Sequence, residues 1–190
     1  NELLDGQDPD KLFLERDLKF LKEPKGDKPG GRMVIVLPRQ NLSGTQQSSV
    51  ELRKWLLKQA KITAIVDLPR EAFQPHTGTK TSLVFLEKVK DPESDYKIFM
   101  AVSEAVGHDR RGNPIYRKDD SGKFVLDGEN NPRIWNDLPE IKDQWDNYQK
   151  GIKPKSITPS CFVISSEQLR NDPSYRIDAW YWDPNKNDLA

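Results

Sequence analysis

Cysteine is nearly absent from this chain of 190 residues: Cys161 stands alone. No internal disulfide can form, so the fold must be held by packing. Histidine is almost as scarce, with His76 and His108 in polar stretches far apart in sequence. No Cys/His set has metal spacing, no Gly-rich phosphate loop of either common type occurs, and no serine sits in a nucleophile elbow. No apolar run approaches the roughly 20 residues that span a bilayer, which sets membrane roles aside. No charged-then-apolar leader opens the chain, and the default expectation is a reducing cytoplasm. An excess of one charge sign is missing too, since 30 Lys and Arg balance 30 Asp and Glu.

That balance is not local. Residues 31–90 carry ten Lys or Arg against four Asp or Glu, a surplus of six positive charges, and the rest of the chain offsets it. A surplus of this kind suits a polyanion such as nucleic acid. A solvated helix face with Arg53, Lys54, Lys58 and Lys61 accounts for much of it. The length is enough for one domain with a true core, or for one domain and part of another.

Within the basic segment, Ile62 to Leu68 and Ser82 to Leu86 are short apolar runs with the character of strands buried on both faces. The loop between them holds Phe73, Pro69, Pro75, Gly78, three threonines (Thr77, Thr79, Thr81), His76 and Lys80. Such a loop could meet a flat, anionic ligand, or it could be a polar connection with its phenylalanine tucked into the core. Upstream, Asp8 and Pro9 read as the cap and first residue of a helix running to about Leu21, with Leu14, Leu18 and Leu21 on the covered face and Phe13 and Phe20 beside them. Met33 to Leu37 is a strand, again unbroken and expected to be buried on both faces. Ser48 with Glu51 three residues on predicts a capping box and a second helix with Leu52, Trp55 and Leu56 buried. The alternation of helix and strand predicts an α/β sheet with parallel pairings. Two strands end in Leu-Pro before loops carrying Arg39 and Arg70, and ligands of open α/β sheets bind beyond the carboxyl ends of strands. Those two loops should share one edge, and that edge is the candidate site.

Beyond a strand at Tyr96 to Val102 the composition turns polar. The segment Gly107 to Pro132 reads as an excursion with a β-hairpin around Asp119 to Gly122. A helix from about Asp137 to Gln149 and a short strand at Cys161 to Ile164 follow. The terminal Trp180, Tyr181 and Trp182 are too apolar to leave bare, so this tail should pack on the body or meet another domain. No internal repeat is visible.

The stretches FLERDLKFL, GGRMVIVLP and SSVELRKWLLKQAKITAIVDLPREAFQPHTGTKTSLVFLEK resemble, in order and spacing, the C-terminal half of the N6-adenine DNA methyltransferase domain in the modification subunit of type I restriction systems. The likeness covers about residues 9 to 105. GHDRRGNPIY is similar to the excursion that follows that domain, and RIDAWYWDP to a stretch that often opens a DNA-specificity region. The resemblance implies the later half of a Rossmann-like sheet of S-adenosylmethionine-dependent methyltransferases, with a polar β-hairpin excursion and a short C-terminal α+β tail. The divisions would be 1–105 for the methyltransferase core, 106–135 for the hairpin, and 136–190 for a helix, strand and aromatic tail leading toward a specificity or partner region.

On the same resemblance, the cofactor loop and the Asn-Pro-Pro-aromatic catalytic loop precede the helix near Asp8, so this chain holds no catalytic, cofactor-binding or metal residue of its own. Phe73 is similar to the residue that stacks on the extruded adenine. Arg39, Arg70, His76, Thr77, Gly78, Thr79 and Lys80 would lie along the DNA, Lys80 on a phosphate. The implied cofactor is S-adenosylmethionine, and the implied partners are DNA, a DNA-specificity subunit or domain, and a restriction subunit. Asn113-Pro114-Ile115-Tyr116 is one residue away from Asn-Pro-Pro-Tyr, but its third residue is wrong and it lies in a charged hairpin, so it reads as a turn. The alternative to an enzyme fragment is a non-catalytic module with a partial methyltransferase fold that contacts DNA or a subunit.

Overall fold

In the computed structural model, which describes residues 8–92, 94–155 and 159–185, five strands make one open sheet. These are β1 (Arg32–Pro38), β2 (Lys61–Asp67), β3 (Thr81–Glu87), β4 (Lys97–Val102) and β5 (Ser160–Ser165), in the spatial order β1-β3-β2-β4-β5. β3 runs antiparallel to both β1 and β2, β2 and β4 are parallel, and β5 is antiparallel to β4. β1, β2 and β4 therefore point the same way, and their carboxyl ends share one edge as the two Leu-Pro signals predict.

One face of the sheet is covered by α1 (Pro9–Phe20) and α3 (Gln47–Gln59), whose Leu14, Leu18, Leu52 and Leu56 join Ile62, Ile65, Val84 and Leu86 in the main core. The other is covered over β2, β4 and β5 by α4 (Leu138–Gln149), where Ala64, Val66, Phe99 and Cys161 meet Ile141 and the partly buried Trp145 and Tyr148. Strand residues normally alternate between faces, yet Ile62 and Ile65 face the same way. A register shift between Ile62 and Ala64 inserts one extra residue and resets the alternation.

Several expectations need correction. Phe13 and Phe20 on α1 are 56% and 71% exposed: at about 100° per residue, Phe20 lies roughly 200° round the helix from Leu18 and so faces away from the sheet. β1 is an edge strand. Its Leu37 is buried, but Val34 and Val36 are 54% and 43% exposed, because the cluster under α4 takes in residues of β2, β3, β4 and β5 and none of β1. The capping box at Ser48 does not form. The N-cap is Gln46, two residues before Ser48, the Ser48 hydroxyl accepts from Lys11 Nζ at 3.2 Å, and Glu51 accepts from Gln47 Nε2 at 2.7 Å. A capping box does occur at Ser165 with Gln168, opening the short α5 (Ser166–Asn171).

Arg53, read as part of a solvated face, is fully buried. Its guanidinium donates to the carbonyls of Asn41 and Gly44, on and just after α2 (Arg39–Ser43), and to that of Ser174 in the C-terminal segment, at 2.6 Å in each case. Desolvation lowers its pKa to about 10, against the nearby Asp178 and Asp172. The three carbonyls would otherwise lack partners, which is why a buried cation is tolerated here.

The polar excursion also differs from the expected single hairpin. Asp109, Asp119 and Asp127 each begin the same turn, their carboxylates accepting from the backbone N–H two and four residues on: Arg111 and Asn113, Ser121 and Lys123, Glu129 and Asn131. The residue three beyond each aspartate has positive φ, at Gly112 (84°), Gly122 (80°) and Asn130 (64°), residue types that tolerate that region. The three arms close on one another in a ring, with Ile115 N–H donating to Gly107, Gly107 to Trp135 and Trp135 to Ile115. A second ring joins Arg117, Val125 and Arg133. An internal repeat is therefore present, and it is a repeat of turns. Asn113 and Pro114 belong to the first of them, as the turn reading of that tetrapeptide requires.

Candidate functional site

The Leu-Pro after β2 ends its ladder, because Pro69 has no N–H to donate, and Arg70–Phe73 winds into a 3-10 turn. Thr77 N–H donates to the Phe73 carbonyl, and Thr79 N–H to the Thr77 hydroxyl. The loop thus folds on itself at the carboxyl edge. Phe73 is 39% exposed and belongs to neither core cluster, which removes the reading of a phenylalanine tucked into the core.

Facing this loop across a cleft is the C-terminal segment, which does pack on the body. Ile177 N–H donates to the Leu42 carbonyl, and Trp180 N–H donates to Asp67 Oδ2 at 2.8 Å. Asp178 caps α6 (Ala179–Trp182), accepting from Tyr181 N–H, and pairs with Arg39 at 3.2 Å. Arg39 also lies 3.7 Å from Asp67 and places its guanidinium 4.7 Å from the centre of the Trp180 ring. Arg176 is gripped by both oxygens of Asp172, at 3.1 and 2.6 Å, and stacks 3.7 Å from the Tyr181 ring centre. This strap ties the carboxyl ends of β1 and β2 together.

Two carboxylates beneath the strap are buried. Burial pushes Asp67 above the usual carboxylate range, against the hydrogen bonds from the Ser82 hydroxyl (2.5 Å) and Trp180 N–H. Burial likewise raises Asp178, and the opposite charge of Arg39 resists it. One Asp178 oxygen has no hydrogen-bond partner among the described residues.

The cleft has a volume of about 660 Å³. Arg39, Arg70, Gly78, Thr79 and Lys80, all expected from sequence, line it together with Arg176, Asp178, Trp180 and Tyr181. Phe73, His76 and Thr77 do not line it. They sit on the exposed outer part of the same loop. Arg39 is half-committed already, its charge met by two carboxylates, whereas Arg70 and Lys80 have no ion pair among the described residues. Sequence reasoning missed Arg176, Asp178 and Asp67. Asp67 and its partner Trp180 are 113 positions apart, and the signals on this segment were the apolar Trp-Tyr-Trp that had to be covered by something and the likeness of RIDAWYWDP to a stretch that opens a DNA-specificity region. Among the described residues no group of His, Cys, Asp and Glu could hold a metal ion, and no helix is long and apolar enough to cross a membrane.

A family model described as N-6 DNA methylase matches residues 16–163. The methylase subunit of the type I restriction enzyme EcoEI from Escherichia coli is 35% identical over 77 residues, 40% of this chain and 14% of that protein. Among solved structures, a chain from work on complex assembly and conformational transition of the type I R-M system aligns with a TM-score of 0.64 at 23% identity, over 96% of this chain and 34% of that one. A modification subunit of a putative type I restriction enzyme from Vibrio vulnificus YJ016 aligns with a TM-score of 0.55 at 18% identity, over 94% of this chain and 34% of that one. At such identities the structural likeness establishes the fold, an open α/β sheet shared with these chains. The chain spans about a third of the length of the solved relatives and a smaller part of the curated one.

Proposed function

Because this chain belongs to the N-6 DNA methylase family, we propose that it is the C-terminal half of the methyltransferase domain in a type I modification subunit. The intact protein then transfers a methyl group from S-adenosylmethionine to adenine N6 in DNA, in company with a DNA-specificity subunit or domain and a restriction subunit. Phe73 carries the reading: a large aromatic side chain left partly exposed at the carboxyl edge of a buried strand, on the same loop as Arg70 and Lys80.

In this role Phe73 stacks on the adenine turned out of the duplex. Extrusion costs a few kcal/mol, and stacking on an aromatic returns about 1–3 kcal/mol per base. Lys80 and Arg70 meet phosphates, with Gly78 and Thr79 offering backbone and hydroxyl groups to the same strand and His76 and Thr77 lying on the outer flank. Arg39 serves the site mainly by holding Asp178 and Asp67. The described residues do not fit the cofactor. S-adenosylmethionine carries a sulfonium cation, while the cleft is lined by Arg39, Arg70, Lys80 and Arg176 against Asp178 alone. Cofactor binding and methyl transfer fall to the part of the protein that precedes α1.

The test is Phe73→Ala in the intact methyltransferase, with methylation of duplex DNA, cofactor affinity and thermal unfolding measured together. Methylation should fall while cofactor affinity and the unfolding temperature hold. A core phenylalanine would instead cost about 3–5 kcal/mol of stability, and unchanged methylation with a large drop in unfolding temperature sinks the stacking role. DNA binding without any methylation by the wild-type intact protein would favour the non-catalytic module.

A further inference from the structure

Phe73 does not line the cleft, and a single extruded base on Phe73 with phosphates on Lys80 and Arg70 leaves the strap side of the cleft, Arg176 and Trp180, unused. The cleft's volume of about 660 Å³ falls within the roughly 300–1,000 Å³ of small-ligand sites. Its two unpaired cations, Arg70 and Lys80, stand on the loop side. On the strap side stands Arg176, whose Nε and Nη2 are fixed by Asp172 while Nη1 has no hydrogen bond among the described residues. Trp180, 42% exposed, presents an indole to the same space. Cations around a flat, partly exposed ring form the combination that holds single-stranded nucleotides: charge for the phosphate, an aromatic face for the base.

We propose that the cleft between Gly78–Lys80 and the 176–181 strap is a second DNA subsite. It takes one nucleotide of the same DNA beside the position held by Phe73, with the phosphate on Arg70, Lys80 and Arg176 and the base against Trp180. This rests on the DNA-binding reading given above and adds the C-terminal strap to the binding surface. The strap is well suited to the task because its position is fixed from beneath, by Trp180 N–H on Asp67 and by Asp178 on Arg39. Trp180 therefore meets a ligand with little ordering still to be paid for in lost freedom.

The experiment is fluorescence anisotropy of a labelled single-stranded oligonucleotide and of its duplex, titrated with this chain across a salt series. Trp180→Ala should weaken single-strand binding by about 5- to 150-fold, the equivalent of one lost base stack. Arg176→Gln should reduce the slope of log K against log salt by about one, while Phe73→Ala leaves that slope unchanged. If Trp180→Ala also lowers the unfolding temperature, the Arg176→Gln slope decides, since glutamine keeps a donor for Asp172. Affinity and slope within twofold of wild type for both strap variants, with Lys80→Ala still weakening binding, would overturn the subsite and leave the DNA reading standing. Failure of the wild-type chain to bind either oligonucleotide at low salt overturns both.

Discussion

Arginine carries three different jobs in this chain, and nothing in local sequence separates them. Arg53 sits among Lys54 and Lys58 on a helix with a basic side, yet it is the one turned inward, because three carbonyls from α2, the turn after it and the strap converge on its position. Arg53→Lys should lower stability by about 1–3 kcal/mol for each carbonyl that a single ammonium fails to reach, read from urea unfolding. Arg39 is 16% exposed and paired with Asp178 and Asp67. Its loss strands two carboxylates that burial already disfavours as ions. Arg39→Ala should therefore cost on the order of 3–5 kcal/mol of stability while changing DNA affinity less than Lys80→Ala does. An Arg39→Ala protein with unaltered unfolding and strongly weakened DNA binding would reverse that assignment. Arg70 alone of the three is exposed, lines the cleft and has no ion pair among the described residues.

Elements were legible where a single pattern determined them. All five strands, α1, α3 and α4 follow from apolar periodicity and from the prolines and glycines that end them, within one or two residues. Less legible were features decided by distant neighbours: which face of β1 is covered, where α3 is capped, and the strap, whose anchor Asp67 lies more than a hundred positions away. The three-turn excursion was hidden for another reason. Its repeat is one of backbone geometry, Asp at the first position and a residue tolerant of positive φ at the fourth, and only Gly112 and Gly122 share the residue type at the latter. Each of the three aspartates is held below the usual carboxylate range, chiefly by the Asn113 side chain for Asp109, the Ser121 hydroxyl for Asp119 and the Asn131 N–H for Asp127. A carboxylate with a depressed folded pKa stabilises its turn above the unfolded value of about 3.9, and that contribution is lost as pH falls through the lower folded value. Amide exchange at Arg111, Ser121 and Glu129 should accelerate on acidification below about pH 4, relative to the intrinsic rate, while the sheet stays protected. Unchanged protection of all three at pH 2.5 would show that the turns do not depend on the charge.

At the scale of the whole molecule, β1 and β5 are the two edges of the open sheet. On the β1 side Val34 and Val36 are exposed, and α1 turns Phe13 and Phe20 outward. The solved relatives are about three times as long as this chain, and in the proposed assignment the part of the protein that precedes α1 supplies the cofactor site. The chain at the carboxyl ends of β1 and β2 leads respectively into α2 and the 3-10 turn at Arg70, and the cleft these two border is cationic. Ligands of open α/β sheets sit at such carboxyl ends where neighbouring connections diverge, but a cationic cleft repels a sulfonium and attracts phosphate. The 190-residue chain by itself should therefore bind DNA oligonucleotides at low salt and give no resolvable heat with S-adenosylmethionine in isothermal titration. Joined to the preceding half of the domain it should bind the cofactor, with Lys80→Ala and Arg70→Ala leaving that affinity intact. A micromolar dissociation constant for the cofactor with the chain alone would place the cofactor site among these residues and overturn the division of labour between the two halves.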